Sequence, residues 1–353
     1  MPTDIIKVLV PAITAFSVGI GITPLVTHYL YRFRVWKIRG GKQTLDGAEA
    51  TEFNRLHGSL ETHTPRMGGI IIWASVLITI VSIGIIAKLV PSAATIKLDF
   101  LSRDQTWIPL VTLVIGAGVG FVSDLLDVRW SGQGMRLRTR LPIILVLATV
   151  LGWWFWAKLE VISVGIPFGD PVYIGWLIIP LFVAISLSLY ASGVIDGIDG
   201  LSGGVFASIF ASYAIIAFVQ AQINLAAFCA AIVGGILAFL WYNIPPARFY
   251  MTETGTMALT LTIAVIAFTT DQLGDGVGIA VLPVIGFLLV ATVSSNILQI
   301  FWKKVYGRKL LRIAPLHHHF EALGWPSHKV TMRYWVLSVM FAFAGVIIAF
   351  SGS

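Results

Sequence analysis

The stretch GGIIIWASVLITIVSIGIIAKL, residues 68–89, decides the fold, because it carries no charge before Lys88 near its end. A helix needs about 20 mostly apolar residues to cross the hydrocarbon core of a bilayer, and a continuous apolar run does not alternate as a barrel strand does. Nine further runs are of this kind: 5–27, 107–123, 141–157, 173–190, 201–219, 225–242, 255–270, 278–301 and 333–350. The sequence therefore predicts an all-α polytopic membrane protein with about ten spans, built as one integral-membrane domain over residues 1–353.

The composition excludes a soluble cytosolic enzyme. Only 12% of the 353 residues are charged and 57% are hydrophobic, whereas a soluble chain carries about a quarter charged residues. The first run, 5–27, lacks a cleavage pattern and is interpreted as a retained span.

The basic residues predict the orientation. Most of the 24 lysines and arginines fall in alternate loops. These loops are 31–66, 124–140, 191–200, 243–254 and 302–332. The positive-inside rule places them in the cytoplasm and both termini outside. The net charge of +7 is therefore mainly a topology signal, with a share left for anionic substrate, and no nucleic-acid partner is expected.

Two pairs of aspartates stand out in this set of loops. In FVSDLLDV (121–128), Asp124 and Asp127 share one face of a helix at three-residue spacing; the alternative is a solvated helix end. In GVIDGIDGLSGG (193–204), Asp196 and Asp199 are expected to share a face as well. Glycines around them permit close approach of backbone to a ligand, so this pair suits a metal or a nucleobase, the alternative being a turn with helix-capping aspartates.

A third polar cluster is WYNIPPARFYMTETGT (241–256). Asn243 precedes a proline pair, which forces an irregular segment, and Glu253 opens the next span. The amides at that helix start are predicted to suit phosphate, with a plain capping loop as the alternative.

The fourth cluster is RIAPLHHHFEALGWP (312–326). Three consecutive histidines cannot all face one way on a helix, so they are expected to contact different partners. No zinc spacing accompanies them; phosphate binding and local hydrogen bonds remain the alternatives. The glycines of VIGAGVGF (114–121) are interpreted as small residues at a helix contact.

These clusters, in this order, resemble the polyprenyl-phosphate N-acetylhexosamine-1-phosphate transferases, and within them the phospho-N-acetylmuramoyl-pentapeptide transferase family. The resemblance runs from HTPRMGG (63–69) to the last span, and PLHHHFEALGWP (315–326) and WYNIPPARF (241–249) are its most specific parts. It implies that undecaprenyl phosphate attacks the sugar-linked phosphate of UDP-MurNAc-pentapeptide in the bacterial inner membrane, giving UMP and lipid I for peptidoglycan. It also implies Mg²⁺ as cofactor and a homodimer as one candidate assembly.

The resemblance assigns roles by position. The catalytic residues are Asp124, Asp196, Asp199 and His318. The substrate-binding residues are Asn243, Tyr250, His317, His319, Arg138 and Arg140. The metal ligands are Glu253 and Asp124.

The chain departs from the family pattern within the site. The family's Asp pair is Ser123-Asp124, two asparagines ahead of the DGxDG motif become Tyr190 and Gly193, FMGDTGS becomes YMTETGT (250–256), a loop lysine becomes Glu61, and lysines become Arg138 and Arg140. Three other readings therefore stand beside the active transferase: a relative that binds nucleotide-sugar or lipid phosphate without turnover, a sister transferase using another UDP-sugar, and a transporter.

Overall fold

The computed structural model describes residues 2–36, 54, 62–102, 105–129, 135 and 137–351. Its helices are α1 (Pro2–Arg32), α2 (Ile70–Leu89), α3 (Ala93–Leu98), α4 (Trp107–Arg129), α5 (Leu137–Lys158), α6 (Ile178–Ser192), α7 (Leu201–Val219), α8 (Ile223–Asn243), α9 (Thr252–Thr269), α10 (Gly278–Ile285), α11 (Phe287–Tyr306), α12 (Leu316–Ala322) and α13 (Ser327–Ser351). Short 3₁₀ helices lie at Gly175–Leu177, Gly193–Ile195 and Gln272–Gly274. The prediction of an all-α polytopic membrane protein is confirmed.

The number of spans agrees with the sequence as well. Within the described ranges nine helices are long and apolar enough to cross a membrane, and ten if α10 and α11 count as one. That pair is bent by 69°, so the predicted span 278–301 consists of two helices rather than one. Pro283 lacks the amide that would continue the helical ladder, and the break follows at Gly286.

The core lies around α8 and α9. In α9, 89% of the apolar window is buried inside the protein, against 17% in α1, which faces outward. An apolar helix that is buried on all sides belongs at the centre of a bundle. The start of α9 is consequently surrounded by other helices, and the side chains that contact it come from several helices and loops.

Small residues bring α4 against α9. A Cβ on Gly120 would lie 2.2 Å from the backbone oxygen of Glu253, and one on Gly116 would lie 3.0 Å from that of Met257. This close approach confirms the interpretation of the VIGAGVGF glycines as a helix contact. Because Asp124 lies one turn beyond Gly120, the contact delivers its carboxylate to the start of α9.

The far end of α9 carries a different polar group. Asp271 is fully buried, and its carboxylate accepts hydrogen bonds from the amides of Gly165 and Ile279. Gly165 follows β1 (Ser163–Val164), which pairs antiparallel with β2 (Val172–Tyr173). Burial raises the pKa of Asp271 to about 6, although the amides partly counter it. With α9 about 27 Å long, this group takes no part in the chemistry at Thr252.

Candidate active site

The segment between α8 and α9 is the frame of the site. α8 ends at Asn243, whose Oδ1 accepts from the amide of Gly200 at 2.9 Å and whose Nδ2 donates to the carbonyl of Phe249 at 2.8 Å. The amide of Tyr250 donates to the carbonyl of Pro65 at 2.9 Å. Asn243 is therefore buried as a bridge between two loops, and the irregular segment predicted from the proline pair is confirmed.

Asp124 is fully buried against the start of α9. Its Oδ2 accepts from the hydroxyls of Thr252 and Thr254, both at 2.6 Å, and from the amide of Thr254 at 2.8 Å. Its Oδ1 lies 3.4 Å from a guanidinium nitrogen of Arg66, which also lies 3.2 Å from Asp127. The two aspartates thus share a face, as predicted, and Arg66 bridges them.

Asp196, in the loop between α6 and α7, also contacts the start of α9. Its Oδ2 accepts from the amide of Thr252 at 2.8 Å, and its Oδ1 accepts from the hydroxyl of Ser202 at 2.7 Å. Two carboxylates therefore complement the positive end of the α9 dipole. The expectation that these amides bind phosphate is wrong for Thr252 and Thr254, because the carboxylates of Asp196 and Asp124 already accept their hydrogen bonds.

Asp199 contacts different segments of the chain from Asp196. Its Oδ2 accepts from the amide of Ala247 at 3.0 Å, and its backbone oxygen accepts from the hydroxyl of Thr331 at 3.0 Å. The prediction that Asp196 and Asp199 share a helical face is wrong: the helix ends at Ile195, and Gly200 has a φ of +75°. The non-helical backbone directs the two carboxylates to different loops.

Glu253 points towards α5, where its Oε1 forms an ion pair with Arg140. The two side chains are 27% and 22% exposed, so the pair is partly open to solvent. Arg138, two residues earlier in α5, is exposed. Glu61 lies outside the described residues. Of the two predicted arginines, only Arg140 contacts another site residue that was predicted.

The histidines lie against the Asp196 loop. A Cβ on Gly197 would be 2.6 Å from His317 Nε2 and 2.7 Å from His318 Nε2. His319 turns away: its Nδ1 accepts from the backbone amide of Arg312 at 3.2 Å, and burial together with the Arg312 charge lowers the pKa of His319. His319 therefore has a partner of its own, whereas His317 and His318 share the contact with Gly197, so the prediction of different partners holds for His319.

Two residues at the site, Arg66 and Glu321, were not singled out from the sequence. Arg66 lies within the quoted HTPRMGG, and Glu321 within the quoted histidine stretch, so proximity to a motif was the available signal. Thr252 adopts a φ of +55°, a region that disfavours a β-branched residue. The glycine of the family pattern suits this backbone, but here the Thr252 hydroxyl also accepts from the amide of Met67 at 3.1 Å.

The carboxylates at this site suit a magnesium ion that substrate phosphate also coordinates. Magnesium commonly takes one or two carboxylates and completes its shell with substrate phosphates and water. Asp124 and Glu253 both lie at the start of α9, and Glu253 is partly exposed. Across the described ranges no group of three or more His, Cys, Asp or Glu side chains is arranged to hold a metal by itself. The donor set therefore fits a magnesium shared with phosphate.

Carboxylates, guanidinium groups and imidazoles thus meet around one helix start. Asp124 and Asp196 share Thr252, Glu253 adjoins it, and His318 adjoins the Asp196 loop. Such a set is suited to phosphoryl chemistry, which depends on positioning and charge stabilisation more than on covalent catalysis.

Comparison with known proteins agrees with this chemistry. Residues 106–271 match the model of Glycosyl transferase family 4. The chain is 30% identical to the phospho-N-acetylmuramoyl-pentapeptide-transferase of Bacillus mycoides (strain KBAB4), covering 96% of this chain and 97% of that protein. It is also 30% identical to the protein of the same name from Geobacillus thermodenitrificans (strain NG80-2), covering 99% of both. The chain therefore belongs to the phospho-N-acetylmuramoyl-pentapeptide-transferase family, a family of membrane-bound phospho-sugar transferases.

Proposed function

We propose that this protein transfers phospho-N-acetylmuramoyl-pentapeptide from its UDP-linked donor to undecaprenyl phosphate, giving lipid I and UMP. The observation that carries the proposal is the convergence of Asp124, Asp196, Glu253 and His318 around the start of α9. The relatives named above support the choice of donor and acceptor. The site is proposed to open at the cytoplasmic leaflet of the bacterial inner membrane, as the distribution of basic residues predicts.

The reaction forms one phosphorus–oxygen bond and breaks another. An oxygen of the lipid phosphate attacks the phosphorus linked to the sugar, and the bond to the UMP oxygen breaks. The lipid phosphate is largely ionised at neutral pH, since a second pKa of about 6 is typical of phosphate monoesters. No side chain is therefore required as a base, and the work of the protein is to orient two anions.

Each cluster has a part in that orientation. Arg140 and His318 supply donors for the pyrophosphate, because guanidinium and imidazolium groups form strong hydrogen bonds with phosphate. Asp196 and Asp199, tied to Thr252 and Ala247, border the nucleoside. Magnesium, held by Glu253 and Asp124, would supply charge neutralisation of the phosphates when bound.

The test is release of UMP by the purified protein with UDP-MurNAc-pentapeptide, undecaprenyl phosphate and Mg²⁺. Glu253→Ala should lower turnover by about a hundredfold, the scale on which loss of one charge-stabilising group acts. Asp170→Ala is the matched control, because Asp170 is an exposed carboxylate remote from Thr252 in the chain. Equal turnover by both folded variants contradicts the proposal.

A binding protein without turnover is the second candidate. Ser123 stands where the family has an aspartate, and Arg140 already neutralises Glu253. This candidate expects UDP-MurNAc-pentapeptide to bind without release of UMP, and the double change Ser123→Asp with Glu253→Asp to restore activity. Turnover by the unaltered chain excludes it. The homodimer stays a prediction, tested by light scattering in detergent.

A further inference from the structure

A buried hydrogen-bonded chain in and next to α12 leads to His318, and its other two members, Glu321 and Ser327, have no part in the chemistry above. The Ser327 hydroxyl donates to Glu321 Oε1 at 2.5 Å, and Glu321 Oε2 lies 2.7 Å from His318 Nδ1. The side chains of His318 and Glu321 are only 3% and 4% exposed. An acid buried this deeply is retained where a donor or a cation compensates its charge.

The contacts of Glu321 define which nitrogen of His318 carries a proton. An ionised carboxylate accepts hydrogen bonds and has none to donate, and the Ser327 hydroxyl supplies the donor for its other oxygen. With Glu321 ionised, Nδ1 of His318 is the donor in their contact. A carboxylate at this distance also stabilises the doubly protonated ring, in which Nε2 is a donor as well.

Nε2 faces the loop that borders the proposed nucleotide. It would lie 2.7 Å from a Cβ at Gly197, the residue that follows Asp196 in that loop. The titratable groups Glu321 and His317 contact the His318 ring. Asp196 and Asp199 belong to the loop of Gly197, and Tyr334 of α13 faces the ring of His317. Among these, Glu321 makes the direct contact with Nδ1.

We propose that Glu321 is a positioning residue that acts through His318. It fixes the ring orientation and stabilises its charged form, so that Nε2–H donates to the diphosphate of a bound nucleotide. Glu321 itself does not touch the ligand. The proposal rests on the proposed function, since it takes the ligand to be a nucleoside diphosphate group.

The experiment is a double-mutant cycle on the affinity of the purified full chain for UDP, measured by calorimetry at several pH values. Glu321→Gln keeps the shape and removes the charge. It should weaken UDP binding about tenfold at neutral pH, as expected for one hydrogen bond to a charged group. The pH at which affinity falls should move down, because the protonated ring loses its counter-charge. On a His318→Gln background, Glu321→Gln should change affinity by less than about twofold.

Ser327→Ala is the matched control, because it removes the hydroxyl partner and keeps the carboxylate; its pH dependence should follow the unaltered chain. Melting temperatures exclude unfolding as the cause of any loss. Equal losses on both backgrounds, or an unchanged pH dependence in Glu321→Gln, overturn the proposal. UMP release measured on the same samples separates the role of Glu321 from the proposed transferase function. If the double-mutant cycle on UDP affinity comes out as expected but no UMP is released, only the transferase function is contradicted. If the unaltered chain does not bind UDP, both proposals are contradicted.

Discussion

Adding one methyl group at Gly197 should disable the site. Its Cβ would lie 2.6 Å from His317 Nε2 and 2.7 Å from His318 Nε2, whereas atoms in favourable contact are about 3.5 Å apart. Gly197 does not adopt a positive φ, so alanine fits the backbone itself. The rings and the loop must therefore separate by about 0.8 Å to relieve the overlap.

The size of the effect follows from that displacement. A misplacement of about 1 Å costs about a hundredfold in rate, so Gly197→Ala should lower kcat/KM for UMP release by roughly tenfold to a hundredfold. UDP affinity should fall in parallel, because the histidines move away from the proposed diphosphate. Gly193→Ala in the same segment is the control: its Cβ meets only Thr256, at 3.4 Å, and its activity should stay within about twofold of the unaltered chain.

One result refutes this reasoning. If folded Gly197→Ala binds UDP and turns over as Gly193→Ala does, the histidines are not held against this loop in the working protein. His318 then no longer belongs to the group of converging side chains on which the proposed function rests.

Two further predictions concern stability. In the folded state the pKa of Asp271 is about 6, above the ordinary value of 3.8. Between these two pH values the folded state therefore binds more protons than the unfolded state. The free energy of unfolding should consequently fall as the pH rises from about 4 to 6, by up to roughly 3 kcal/mol. Melting temperatures measured across this range should lose most of that slope in Asp271→Asn, and an unchanged slope refutes the assignment. Thr252→Ser keeps both hydroxyl hydrogen bonds and removes the β-branch at a positive φ, so it should melt no lower than the unaltered chain. Thr252→Gly also relieves the backbone but loses two hydrogen bonds, and it should be less stable by about 1–2 kcal/mol; a more stable glycine variant would show that strain outweighs them.

The fold was largely predictable because one physical requirement governs it. Apolar runs of membrane length recur along the chain, and each became a helix because backbone groups in lipid have to pair within their own segment. The helix ends were less predictable. α13 begins at Ser327 rather than 333, because polar residues continue a helix beyond its apolar part. The bend between α10 and α11 depends on Pro283 and Gly286, whose effect in a membrane helix is set by its neighbours.

The members of the site were predictable and their partners were not. Asp124, Asp196 and Glu253 stood out because acids are rare beside apolar spans. Which donor each acid takes depends on packing between distant segments: Gly120 admits α4 to α9, and this contact gives Asp124 the Thr252 hydroxyl. No local sequence pattern indicates such a pairing. The sequence therefore predicted that the first amides of α9 bind phosphate, whereas those of Thr252 and Thr254 donate to carboxylates.

Glu253 and Arg140, at positions where the family resemblance implies an aspartate and a lysine, are coupled by their ion pair. Glutamate extends its carboxylate by one further carbon, about 1.5 Å, and here it is directed towards α5, where Arg140 forms the ion pair. Arginine presents a rigid planar set of donors, which a lysine does not. A partly buried acid that loses its cation is destabilising, so a change of either residue alone breaks the pair. With Arg66 between Asp124 and Asp127, the carboxylates at this helix start are accompanied by cations of the protein itself. In the proposed reaction, a pyrophosphate would compete for those same guanidinium groups and would thereby release Glu253 towards the ligand.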